Sequence, residues 1–184
     1  MDRVNPSSRS DAYGSRINRA HSPVLVYCVP VSTVVIGSVL AVLPMASAVP
    51  LLPPLGFLFL LAWRLVRPGL FPIWAGFPLG MIDDLFSGQP FGSAILLWSL
   101  TLIFIELVEV RFPWRSFIQD WASAIVAIFI ILLVGALVSG GSWEWSALIG
   151  LTPQLLVSIL IFPVLSRLVA RLDRFRLMRV RKIG

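Results

Sequence analysis

The sequence predicts an all-α integral membrane protein, a compact bundle of about six transmembrane helices. Three observations carry this. Of 184 residues, 58% are hydrophobic and only 13% charged, against an apolar share of about 45 to 50% in soluble domains. Six apolar windows approach the length of roughly 20 residues that a spanning helix needs. All 15 Lys and Arg fall in four segments, which a six-span path puts on one side of the membrane, as the retention of positive loops in the cytoplasm requires.

The first 23 residues, MDRVNPSSRSDAYGSRINRAHSP, are rich in Ser, Arg and Asn. Such a segment cannot bury enough apolar surface to fold, so residues 1–23 are expected to form a disordered basic leader, read as a plain charge anchor, with a docking peptide for a cytoplasmic partner as the alternative. The first apolar window runs from about Val24 to Leu43 without a charge. With Met45-Ala46-Ser47-Ala48 behind it, this window resembles a secretory signal, but it exceeds the usual apolar run of about 7 to 15 residues and is read as a retained helix.

The second and third windows, about Val49 to Trp63 and Leu70 to Ile82, are short and interrupted by Pro53, Pro54, Pro72 and Pro78. They are kept as spans because a four-span path would break the charge separation. The fourth runs from about Phe91 to Val110, the fifth from about Trp121 to Val138 and the sixth from about Ala147 to Leu165. The spanning domain is thus 24–165, with both termini cytoplasmic. Residues 166–184 form a basic amphipathic tail continuing the sixth helix, since Leu165, Leu168, Val169, Leu172 and Phe175 recur at helical spacing between arginines. Arg167, Arg171, Arg174, Arg176, Arg179, Arg181 and Lys182 are expected to contact anionic membrane lipid, which attracts each nearby cation by about 1 kcal/mol.

Several functions are excluded. The net charge of +6 is a topological signal plus a tail, so nucleic acid is not a partner. Cys28 is alone and forms no intramolecular disulfide. His21 is the only histidine and sits in the leader, which removes His-based metal sites and Ser-His-Asp catalysis. No phosphate or dinucleotide fingerprint occurs, and neither an enzyme nor a cofactor is expected. Trp63, Trp74, Trp114, Trp121, Trp143 and Trp145 lie near window ends and read as interfacial belts, while Trp98 reads as packing. Glu106 and Glu109 lie within reach of Arg111, and of Arg64 or Arg67 across a neighbouring helix, and read as an interfacial ion-paired set.

The stretch GFPLGMIDDLFSGQPFG places Gly76, Gly80, Asp84, Gly88 and Gly92 at every fourth position. On a helix this makes a narrow small-residue face that admits another backbone. Pro90 and Ser87-Gly88-Gln89 must break the helix, giving helix, tight polar turn, helix. Asp84 suits a cap at that turn. Catalysis by Asp83 and Asp84 is disfavoured because adjacent helical side chains diverge by about 100°, and a divalent cation would need further oxygen ligands.

This pattern, Gly76-x3-Gly80-x3-Asp84-Leu85-x2-Gly88-x3-Gly92, resembles the signature of the rod shape-determining MreD family of bacteria, as do the chain's size, its short loops and its basic carboxyl terminus. The resemblance covers about residues 24 to 175. Asp83, Pro78 and Pro90 depart from the pattern. It implies a six-helix bundle similar to the membrane subunit of energy-coupling-factor transporters, in the bacterial inner membrane. It also implies a non-enzymatic scaffold of the machinery that elongates the side wall. The implied partners are a bitopic MreC-like protein, the peptidoglycan glycosyltransferase and transpeptidase, and indirectly the MreB filament, with the glycine face packing a partner's helix. The alternative is a small-molecule-binding subunit of a transporter of the energy-coupling-factor kind, with a pocket near Asp83 and Asp84.

Overall fold

Backbone polar groups have no water to bond in lipid, so long apolar runs become helices that satisfy their own hydrogen bonds. The computed structural model describes residues 19–21, 23–40, 52–112, 116–138, 145–177 and 179–181. Among them are six α-helices: α1 (Pro23–Leu40), α2 (Leu55–Val66), α3 (Gly76–Ser87), α4 (Ser93–Arg111), α5 (Phe117–Val138) and α6 (Trp145–Arg176). Two strands, β1 (Arg19–His21) and β2 (Arg179–Arg181), pair antiparallel with Ala20 opposite Val180. This ladder departs from a purely helical fold with an unstructured leader: backbone pairing needs no apolar surface, so composition gives no sign of it.

The second window starts six residues late, because Pro53 and Pro54 precede the helix and the Pro54 carbonyl accepts the first bond, from Leu58 N at 3.0 Å. Apart from Arg64, α2 is apolar all round, and it is buried on nearly every side, from Gly56 through Leu65 except Phe59, which marks a central helix rather than a peripheral one. Around it stand Val34 of α1, Trp98, Leu102 and Ile105 of α4, Ala124 and Ile128 of α5, and Phe162 and Val169 of α6. Trp98 tilts against Phe57 with ring centroids 6.1 Å apart, the packing role expected of it.

α4, α5 and the Ile149–Arg176 part of α6 are long and apolar enough to cross a membrane. α1 and α2 offer shorter apolar stretches, Val26–Leu40 and Leu55–Val66. At 12 residues, α2 and α3 are each about 18 Å long, short of a hydrocarbon core about 30 Å thick. The third window is displaced towards its carboxyl end. A single 3-10 turn, Ile73–Ala75, precedes α3, which then continues through both aspartates to Ser87. Pro78 lies in the first turn of α3, where its missing N–H costs little.

Helices cross closely where side chains vanish. A Cβ on Gly37 of α1 would lie 2.9 Å from Gly56 N, and one on Gly56 of α2 would collide with Ser38 Oγ. The same device joins α3 to α4, as the site below shows.

Candidate functional site

The α3–α4 hairpin is held by one carboxylate. α4 begins at Ser93 after Gly92, which has φ +98° and no side chain with which to cap it. Asp84 supplies the missing acceptors from the neighbouring helix. Its Oδ2 accepts from Gly92 N at 2.9 Å and Ile95 N at 3.2 Å, and its Oδ1 from Ala94 N at 2.8 Å and Ser93 Oγ at 3.2 Å. The bonds of Ser93 N to Pro90 O and of Leu96 N to Gly92 O complete the first turn, so the orphan donors of the helix start are all satisfied. A negative charge at the positive end of α4 adds dipole stabilisation. Asp84 is only 5% exposed, where such bonds are strong and their loss costly.

The glycines split into two roles. Gly76 and Gly80 face α4: a Cβ on Gly76 would sit 2.8 Å from Ser99 Cα, and one on Gly80 would sit 2.7 Å from Ile95 Cα. Gly88 and Gly92 lie beyond the helix and occupy left-handed conformations, with φ of +67° and +98°. The fourfold spacing therefore lies on one helical face only from Gly76 to Asp84. This corrects the expectation that the face packs a partner's helix: α4 of the same chain already covers it, and the close approach leaves no room for a second backbone.

Asp83 diverges from Asp84, as neighbours on a helix do, and points towards the α1–α2 crossing. A Cβ on Gly56 would come within 3.1 Å of Asp83 Oδ1. Asp83, Gln89 and Gln154 also line a cavity of about 210 Å³. The rest of its lining is apolar, with Phe57, Leu97, Trp98 and Ile131 among it. Gln154 Nε2 donates to Leu52 O at 2.7 Å and Gln89 Oε1 accepts from Ser93 Oγ at 3.3 Å. The polar groups gathered here exceed the two aspartates that the sequence places at this end.

The opposite end of the bundle holds a cluster of six charges. Arg64 of α2 is 2% exposed and binds Glu106 and, at 2.9 Å, Glu109 of α4. Arg67 reaches Asp173 of α6 at 2.9 Å, and the same carboxylate accepts Arg176 Nε at 2.7 Å. Arg176 also donates to Val26 O of α1 at 2.8 Å and lies over the Trp63 ring, 5.3 Å from its centroid. The Trp63 indole N–H donates to Thr33 Oγ1 at 2.8 Å. Three arginines and three carboxylates thus tie the carboxyl ends of α2, α4 and α6 to the amino end of α1.

Two expectations are corrected here. Arg176 is 4% exposed and belongs to the interior, because Asp173 at i−3 and the Trp63 face draw it inward. Trp63 is fully buried and is no interfacial belt residue. Trp74 and Trp121 are exposed. Arg167, Arg171 and Arg174 are exposed on α6. The leader to Asn18, the Met45 to Ala48 segment, Trp114, Trp143, Lys182 and the side chains of Trp145, Arg179 and Arg181 lie outside the described residues. The sequence reading missed the Gly37–Gly56 crossing and the Arg67–Asp173–Arg176 set. The signal for the latter was the lone carboxylate, Asp173, in an arginine-rich tail. Among the described residues no cluster of metal-ligating side chains occurs.

Neither a curated protein nor a solved structure matches the chain. The family model for the rod shape-determining protein MreD matches residues 22–176, from the start of α1 to the end of α6. A membrane protein built as one helical bundle, with the Asp84-capped glycine hairpin inside the matched region, the chain belongs to the rod shape-determining MreD family.

Proposed function

We propose that the chain is a non-enzymatic scaffold of the complex that elongates the bacterial side wall, binding an MreC-like bitopic protein and the glycosyltransferase and transpeptidase of peptidoglycan synthesis, and through them the MreB filament. The family match over nearly the whole bundle carries this reading. Family membership itself implies a role in rod shape determination. In the proposal all six helices cross the inner membrane, α2 within the shelter of its neighbours, and the six-charge end with both termini faces the cytoplasm. Partners dock on outward helix faces, since the glycine face is closed by α4.

One observation favours a second reading, a small-molecule-binding subunit of a transporter resembling the energy-coupling-factor kind: the cavity with Asp83, Gln89 and Gln154. At about 210 Å³ it is smaller than the roughly 300 to 1,000 Å³ of most ligand pockets. Mass spectrometry of what accompanies the tagged protein out of gently solubilised native membranes separates the two. Recovery of an MreC-like protein and cell-wall synthases supports the scaffold. Recovery of cytoplasmic ATPases or a bound metabolite instead supports the transporter.

A further inference from the structure

A groove of about 440 Å³ opens where the carboxyl end of α2, the amino end of α5 and the second half of α6 meet, lined by Val66, Phe117, Pro163, Ser166, Arg167 and Ala170. Positions 163, 166, 167 and 170 form one stripe of α6. Four of the six lining residues are apolar, and the polar pair, Ser166 and Arg167, is adjacent. Arg167 and Arg171, one turn further, are exposed. Among the described residues, the ion pairs of this end engage Arg64, Arg67 and Arg176 instead. The groove lies at the charged end of the bundle, where Arg67 beside Val66 meets α6.

We infer that this groove holds one anionic phospholipid, its phosphate bound by Arg167 and Ser166 and an acyl chain laid against Val66, Phe117, Pro163 and Ala170. The chemistry matches at both ends. A guanidinium presents a planar fork of N–H donors suited to phosphate oxygens, and a hydroxyl beside it adds a donor. Basic pockets between membrane helices at the inner leaflet select anionic headgroups over zwitterionic ones. A soluble phosphate would leave the apolar walls wet, so the lipid is the better occupant. The inference rests on the membrane-spanning part of the proposal, not on the scaffold reading, and survives if the latter fails.

The test is native mass spectrometry of the full chain offered equal amounts of phosphatidylglycerol and phosphatidylcholine with matched acyl chains. The expected result is one retained phosphatidylglycerol per chain. Arg167→Gln should lower its retention by at least about tenfold, and Phe117→Ala should also weaken it. Arg111→Gln, the same charge change at the end of α4 and outside the groove, should leave it unchanged. Equal losses from Arg167→Gln and Arg111→Gln, or no preference between the two lipids, would overturn the assignment. Displacement of the lipid by millimolar inorganic phosphate would overturn it too and give the site to phosphate alone. A stable dimer without retained lipid would give the groove to a second copy.

Discussion

Replacing Asp84 by Ala removes four acceptor contacts at once. The loss of a helix cap alone costs about 0.5 to 2 kcal/mol. Here the donors cannot all turn to water. Ser93 Oγ can still donate to Gln89 Oε1, but Ala94 N is buried and Ile95 N partly so, and each buried donor left unsatisfied adds about 1 to 3 kcal/mol. Gly92 is only partly covered and can be hydrated. The expected destabilisation for Asp84→Ala is therefore about 3 to 5 kcal/mol. Asp84→Asn keeps one carbonyl oxygen but loses the charge, and should cost about 1 to 2 kcal/mol. Asp83→Asn leaves the cap intact and should stay within about 1 kcal/mol. Unfolding of the purified protein in mixed micelles by increasing SDS, followed by circular dichroism, ranks the three. An Asp84→Ala midpoint equal to wild type, or an Asp83→Asn loss exceeding that of Asp84→Asn, would refute the capping account.

The remaining predictions follow the same packing. Gly80→Leu puts atoms within 2.7 Å of Ile95 Cα, where backbone cannot yield, and should cost at least about 3 kcal/mol and abolish a monodisperse peak in gel filtration. Gly92→Ala meets no atom within 4 Å but holds φ at +98°, so it should cost about 1 to 3 kcal/mol through backbone strain alone. Arg64→Leu removes the buried partner of Glu106 and Glu109, whose side chains are 45% and 19% exposed, and should destabilise by about 1 to 3 kcal/mol, whereas the triple change Arg64→Leu, Glu106→Gln, Glu109→Gln should recover part of that in the same SDS titration. Arg176→Ala frees the end of α6 from α1 and Trp63 while Arg67–Asp173 remains, and should raise trypsin cleavage after Arg171 and Arg174 well above that of Arg111→Ala.

The helices were legible because lipid leaves an apolar run no other way to bond its backbone. The turn after Ser87 was legible because glycine and proline interrupt helices for local reasons. Asp84 as a suitable cap followed from its residue type and place. The destination of the glycine face was not legible. Spacing shows that a backbone can approach Gly76 and Gly80 but not whose backbone it is, and α4 follows so soon after the turn that it arrives first. The nearby acids Glu106 and Glu109 made the pairing of Arg64 legible, but the inward turn of Arg176 was hidden. A count of Lys and Arg assigns a side of the membrane, yet Arg176 is drawn in by Val26 O, 150 residues away, and by the Trp63 face as well as by Asp173 on its own helix. The cavity beside Asp83 needed Gln154 and Leu151 of α6, brought there only by tertiary packing.

The central claim is that this bundle supports rod shape. The most direct measurement is to deplete the chain in its host bacterium and follow cell width and aspect ratio by microscopy while growth continues. The account predicts that the cells widen and round, and that the wild-type chain supplied in trans restores rods. Cells that continue to divide as rods of unchanged width would contradict it.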